Sequence, residues 1–134
     1  MSLLTIAAAC LLDADGRLLL VRKRGTRAFM LPGGKVEAGE ELLAALTREL
    51  HEELDLHLDE TALRPLGRYR AEAANEADTR IDASVYLARL PRPVQAAAEL
   101  EELRWHDPHQ PDGDDLAPLL RLHVLPALRH LAQG

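Results

Sequence analysis

Residues 34–56 run GKVEAGEELLAALTRELHEELDL, a glycine-bearing turn that passes into a breaker-free helical pattern from Glu40 to Leu54. At about 100° per residue, Leu42, Leu43, Leu46, Leu50 and Leu54 fall within about 120° of one another, an apolar stripe that must face a core. Glu49, Glu52 and Glu53 form a second stripe beside it. Carboxylates spaced i, i+3 and i+4 repel one another on a helix surface. One reading is a solvated acidic face. The other places a cation among them, because hard divalent ions take oxygen ligands and Mg²⁺ shares its shell with substrate phosphates. The context favours the cation. Arg48 precedes the acids and reaches Glu52 at i+4. Pro32-Gly33-Gly34 forms an upstream turn whose bare backbone can approach a ligand closely. Glu40 sits near the helix start, where a carboxylate suits the helix dipole.

Charge along the chain follows the same division. The 134 residues fit one domain, expected over 1–134, and carry a formal charge of -6. Gly33 to Leu56 holds seven acids and two bases, which is -5 of that total, whereas Arg17 to Arg27 holds five bases and no acid. The carboxylates are concentrated in one segment and preceded by a short cationic one. An acidic total argues against a nucleic-acid coat or a protein held to anionic lipid by bulk charge. No stretch approaches the roughly 18 apolar residues of a membrane span. The amino-terminal residues lack a basic segment followed by an apolar run, so a cytoplasmic location is expected. A single cysteine, Cys10, permits no internal disulfide and reads as small core packing in an apolar strand. Only Lys23 and Lys35 are lysines, and Phe29, Tyr69, Tyr86 and Trp105 are the only aromatic residues.

Outward from the helix, strands dominate. Leu3–Leu12 and Arg17–Arg24 flank the turn Asp13-Ala14-Asp15-Gly16 and read as a hairpin. Gly25–Gly39 reads as loop. Leu63–Ala73 and Arg80–Leu90 read as two further strands, and Leu103–Trp105 as a short last one. Asp114–Ala132 reads as a closing helix, with Pro118 in its first turn and Pro126 expected to kink or break it. Strands that outnumber helices without alternating with them indicate an α+β chain around a mixed sheet.

The segment from Gly34 to Leu56 resembles the Nudix box, G-x5-E-x7-R-E-U-x-E-E-x-G-U with U aliphatic. Gly34, Glu40, Arg48-Glu49-Leu50, Glu52-Glu53 and Leu56 all match; Asp55 stands where the pattern has its last glycine. That glycine follows the helix in a left-handed conformation, which Asp tolerates better than most residues. The resemblance implies the Nudix fold, an α/β/α sandwich around a mixed β-sheet. It implies a hydrolase that cleaves a pyrophosphate bond in a nucleoside diphosphate derivative, with Mg²⁺ or Mn²⁺. By the same resemblance Glu49, Glu52 and Glu53 are metal ligands, with the backbone of Gly33 and Gly34 bordering metal and phosphates. Arg48 orients a box glutamate, and Glu40 supports the join of loop and helix. The catalytic base is either a box glutamate or an acid of a later loop. Glu99-Leu100-Glu101-Glu102-Leu103-Arg104-Trp105 is similar to the family's E-x-x-E-x-x-W segment, and Glu99 is the favoured acid within it.

Several residues carry two readings. Arg22, Lys23, Arg24 and Arg27 either clamp phosphates, with Arg22 and Lys23 the better placed, or form a solvated strand edge. Phe29 either stacks on a base or packs. Trp105 is expected in the core. His51 takes a free position of the box, and the other histidines show no metal-ligand spacing. The substrate is expected to be a small nucleotide, with a nucleoside triphosphate favoured. The proline or tyrosine that marks the ADP-ribose and dinucleoside-polyphosphate branches is absent near Arg70-Ala71-Glu72-Ala73. A nucleotide-sugar hydrolase, a non-catalytic nucleotide sensor and an allylic-diphosphate isomerase are the alternatives, the last requiring a cysteine at the pocket. No nucleic-acid or membrane partner is expected. A homodimer through the leucine-rich carboxy-terminal segment stays open.

Overall fold

Strand β1 (Ser2–Leu12) is the axis of the sheet, and its other elements follow as β2 (Leu18–Lys23), β3 (Gly33–Lys35), β4 (Arg64–Glu72), β5 (Thr79–Arg89) and β6 (Leu100–His106). The computed structural model describes residues 2–133, with side chains through Leu131. On one edge β1 pairs in parallel with β5 along its whole length, from Ser2↔Thr79 to Leu12↔Arg89, and β4 closes that side antiparallel to β5. The other edge of β1 is shared. β3 takes Ile6–Ala8, while β2 meets β1 only at Leu12↔Leu18 and then turns away to pair with β6. The expected β1–β2 hairpin is therefore closed at its turn and splayed beyond it.

Two helices cover the two faces: α1 (Leu42–Leu54) and α2 (Leu125–Gln133). The alternation of a strand sorts the core. Ala7, Ala9 and Leu11, with Leu19 and Val21, pack under Leu46, Leu50 and Leu54 of α1. Ala8 and Cys10, with Leu18 and Leu20, pack on the opposite face with Leu120, Val124, Leu125 and Leu128. β1 and β2 are apolar at successive positions because both faces are buried. The result is the α/β/α sandwich around a mixed sheet.

Four expectations are corrected. Gly33–Lys35 is a strand, not loop: without alternating side chains it carries no strand pattern, and it forms because the free edge of β1 supplies backbone partners. The last strand runs over seven residues, extended by its pairing with β2. The closing helix is not broken at Pro126. The turn before it, Leu120–Val124, is π-helical, and the wider spacing there accommodates the missing N–H and the pyrrolidine ring. Trp105 is not in the core: β6 is the outer strand, and the indole is 37% exposed with the Arg17 guanidinium 5.8 Å from its centroid.

Asp55 takes the left-handed conformation expected of it, at φ 50° and ψ 37°, and its N–H donates to the His51 carbonyl at 2.9 Å. This closes α1 as an αL cap. The Arg92 guanidinium donates to the Asp55 carbonyl, and buried Leu54 and Leu56 anchor either side. Among the described residues no helix is long and apolar enough to cross a membrane.

Candidate functional site

The site lies where β3 meets α1. β3 hydrogen-bonds to β1 on one side and presents backbone to the carboxylates of α1 on the other. The Gly33 N–H donates to Glu53 Oε1 at 3.0 Å. Glu53 is 3% exposed, and burial, with Glu49 adding like charge, pushes its carboxyl up to about 7; the Gly33 bond acts in the other direction. Burial also raises the Glu49 carboxyl, although Arg48 opposes it. Two of the three glutamates are therefore held partly out of water, while Glu52 remains half-exposed.

Each glycine is fixed by a different neighbour. At Gly33, with φ +140°, a Cβ would lie 2.2 Å from the Ala7 carbonyl oxygen and 2.7 Å from Ala8 Cα, so the pairing of β3 with β1 requires a bare backbone. At Gly34 a Cβ would lie 2.5–2.8 Å from the Glu49 carboxylate. The space a side chain would take at Gly34 is occupied by that carboxylate.

Arg48 ties loop to helix. Its Nε and Nη2 donate to both oxygens of Glu40, at 2.8 and 3.0 Å, and Nη1 donates to Glu49 Oε1 at 3.0 Å. Nη2 also donates to the Lys35 carbonyl at 3.2 Å, and Glu52 lies 3.6 Å from Nη1. Glu40 in turn accepts from the Glu37 N–H at 3.0 Å. The two-point contact with Arg48, followed by that N–H, draws the Glu40 carboxyl down to about 2.

The later acidic segment faces the cationic strand end. Lys23 lies 3.8 Å from Glu99, Arg22 donates to Glu102 at 3.1 and 3.2 Å, and Arg24 donates to Glu101 at 3.3 Å. Arg22 and Lys23, which sequence reasoning grouped, separate because they alternate along β2. Lys23 acts electrostatically on both Glu49 and Glu53. Arg22 turns the other way, donating to the Thr26 carbonyl at 2.8 Å. Glu99 stays 69% exposed. Of the two readings of Phe29 the structure supports packing and not a substrate-stacking role: it is 2% exposed and covered by the Arg104 guanidinium 3.7 Å from its centroid.

A cavity of about 340 Å³ opens beside the carboxylates, with Gly33, Gly34 and Lys23 along that border. Leu4, Ile6, Met30, Ile81, Leu119 and Leu120 give it apolar walls, and Asn75 and Glu76 reach it from the β4–β5 connection. Lys35 lines it as well, so both lysines of the chain stand at this cavity. Sequence reasoning missed the apolar walls, which come from four separate segments. The scarcity of lysine was the available signal for the polar end. Cys10 is fully buried and does not line the cavity, and burial pushes its thiol up to about 12.

Two measurements check this geometry. Gly34→Ala should displace the Glu49 carboxylate and lower turnover by at least about tenfold with a small change in melting temperature. Gly33→Ala should instead destabilise the fold through backbone strain; equal effects of the two on stability would contradict the assignment. The Glu40 carboxyl, drawn below its ordinary value of 4.5, contributes stability above pH about 4.5 that is lost as pH falls towards about 2. The stability difference between the wild type and Glu40→Gln, followed by urea unfolding from pH 7 to 2.5, should shrink across that window. A difference independent of pH would contradict the contact with Arg48.

The NUDIX domain profile matches residues 2–128. The fold is similar to that of a MutT NUDIX hydrolase from Burkholderia pseudomallei, at 25% identity and a TM-score of 0.74, over 96% of this chain and 98% of that one. It is also similar to the E. coli ORF135 protein, at 26% identity and a TM-score of 0.69, over 99% and 91%. A MutT protein from Methanosarcina mazei Go1 shares the fold at 19% identity and a TM-score of 0.75, over 98% and 94%. A comparison with curated protein sequences yields no match. With its fold, its helix of glutamates and the profile spanning nearly its whole length, the chain belongs to the Nudix family, hydrolases of pyrophosphate bonds that generally use divalent metal ions.

Proposed function

We propose that the protein is a Mg²⁺-dependent pyrophosphohydrolase of a nucleoside triphosphate or a related nucleoside diphosphate derivative. The observation that carries this is the buried Glu53 carboxylate beside Glu49, on a glycine backbone, at the border of a cavity lined by both lysines. The donor set is all oxygen, which suits Mg²⁺, with Mn²⁺ as a second choice. Glu49, Glu52 and Glu53 are the residues that would hold the ion, with the Gly33 backbone beside them. When bound, a divalent ion neutralises phosphate oxygens and acidifies water.

The chain's own groups account for the rest. Arg48 fixes the Glu49 carboxylate while anchored on Glu40, so the ligand helix and the glycine strand keep one spacing. Lys23 and Lys35 supply point charges for the phosphate chain. The cavity volume falls within the range of small-molecule sites, and its aliphatic walls suit a base or sugar. Hydrolysis forms a bond from water oxygen to phosphorus and breaks the bond from that phosphorus to the bridging oxygen. The water proton passes to a carboxylate, with Glu99 or a box glutamate as acceptor. Retention of all three box glutamates favours catalysis over a nucleotide sensor. The buried Cys10 offers no thiol for an isomerase.

A panel of nucleoside triphosphates and nucleotide sugars, assayed with and without Mg²⁺ and with product identification, tests the reading. A triphosphate should yield a monophosphate and pyrophosphate only with metal. Glu49→Gln and Glu53→Gln should each lower kcat by at least about a hundredfold while the fold survives. Absence of metal-dependent turnover on every substrate, or full activity in both variants, overturns it.

A further inference from the structure

We infer that the carboxy-terminal end of α1 carries a second metal site, distinct from the carboxylate site, formed by His51, Asp55 and His57 and suited to a borderline divalent transition-metal ion such as Zn²⁺. One ligand atom from each of the three residues lies within 4.8 Å of the other two. Asp55 Oδ1 stands 3.7 Å from His51 Nε2 and 3.8 Å from His57 Nε2, and the two imidazole centroids are 4.1 Å apart. Tetrahedral zinc with nitrogen and oxygen ligands needs donor atoms about 3.4 Å apart. All three side chains are exposed, so a small rotation of each closes the set without disturbing the core.

The backbone is already fixed for this. His51 is on the last turn of the helix, and Asp55 projects from the left-handed position that ends it. Leu54 and Leu56, both buried, pin the residues on either side of Asp55. The Arg92 guanidinium binds the Asp55 carbonyl and not its carboxylate. Among the described residues, the basic side chains within 4.0 Å of that carboxylate are the two histidines. A cation here also meets the negative end of the helix dipole. Two imidazoles with one carboxylate select Zn²⁺ and its neighbours over Mg²⁺, which prefers an all-oxygen shell. Three protein ligands leave a fourth position for water or another donor.

Asp55 is the one position where the chain departs from the Nudix box, and it supplies the central ligand. The glycine of the pattern has no donor to offer. The ion would clamp the helix end just beyond Glu52 and Glu53 and leave their side chains free.

The test uses the full chain stripped with chelator, titrated with Zn²⁺ by calorimetry and followed by the ring-nitrogen NMR signals of its histidines. The wild type should bind one more equivalent of Zn²⁺ than His57→Ala or the double variant His51→Ala/His57→Ala. The His51 and His57 signals should shift together. Asp55→Gly, which restores the residue of the pattern, should weaken this equivalent by at least about tenfold. Mg²⁺-dependent hydrolysis by His57→Ala should equal that of the wild type, which separates this site from the carboxylate site. Equal Zn²⁺ stoichiometry and affinity in the wild type and the double variant, or unmoved signals from either histidine, overturns the inference.

Discussion

A carboxylate buried beneath a glycine strand sets the terms for the rest of this protein. Glu53 is shielded from water, accepts one backbone N–H from Gly33 and lies beside a second carboxylate. With its carboxyl pushed up to about 7 from an ordinary 4.5, the ionised group costs the metal-free fold on the order of 3 kcal/mol at alkaline pH. A neutral residue of the same shape would fill the space without that cost, and this is the physical ground for the proposal that a cation binds there.

The surrounding architecture holds that carboxylate in place. β1 pairs along one edge with β5 and leaves part of the other for β3. That three-residue strand is long enough to fix Gly33 and Gly34 against the helix. Backbone excludes a Cβ at Gly33, whereas a Cβ at Gly34 would have to displace the Glu49 carboxylate. Arg48 then joins Glu40, Glu49 and the Lys35 carbonyl through one guanidinium. Its planar fork makes these contacts simultaneously, which an ammonium group would not. Below the helix, Leu46, Leu50 and Leu54 seal the site from the core side.

Much of this was legible in the residues. The leucine stripe and glutamate stripe of 42–54 separated the core face of α1 from its carboxylate face, and the left-handed Asp55 was implied by the glycine whose place it takes in the resembled pattern. What the sequence concealed depends on partners distant in the chain. Gly33–Lys35 has no strand pattern of its own and exists as a strand because β1 offers an edge. Phe29 is covered by Arg104 from β6, and Trp105 is exposed because β6 is the last strand. The cavity draws its walls from segments with no common motif. The histidines at 51 and 57 show no ligand spacing in sequence, since an αL residue reverses the chain between them.

Thermal unfolding of the wild type and Glu53→Gln at pH 8, each with and without Mg²⁺, tests the central claim most directly. Without metal, Glu53→Gln should melt above the wild type, because the buried charge is gone. Addition of Mg²⁺ should raise the melting temperature of the wild type substantially and that of the variant little. A variant that melts below the metal-free wild type, or that gains as much from Mg²⁺, would contradict the claim that Glu53 is held buried for a cation.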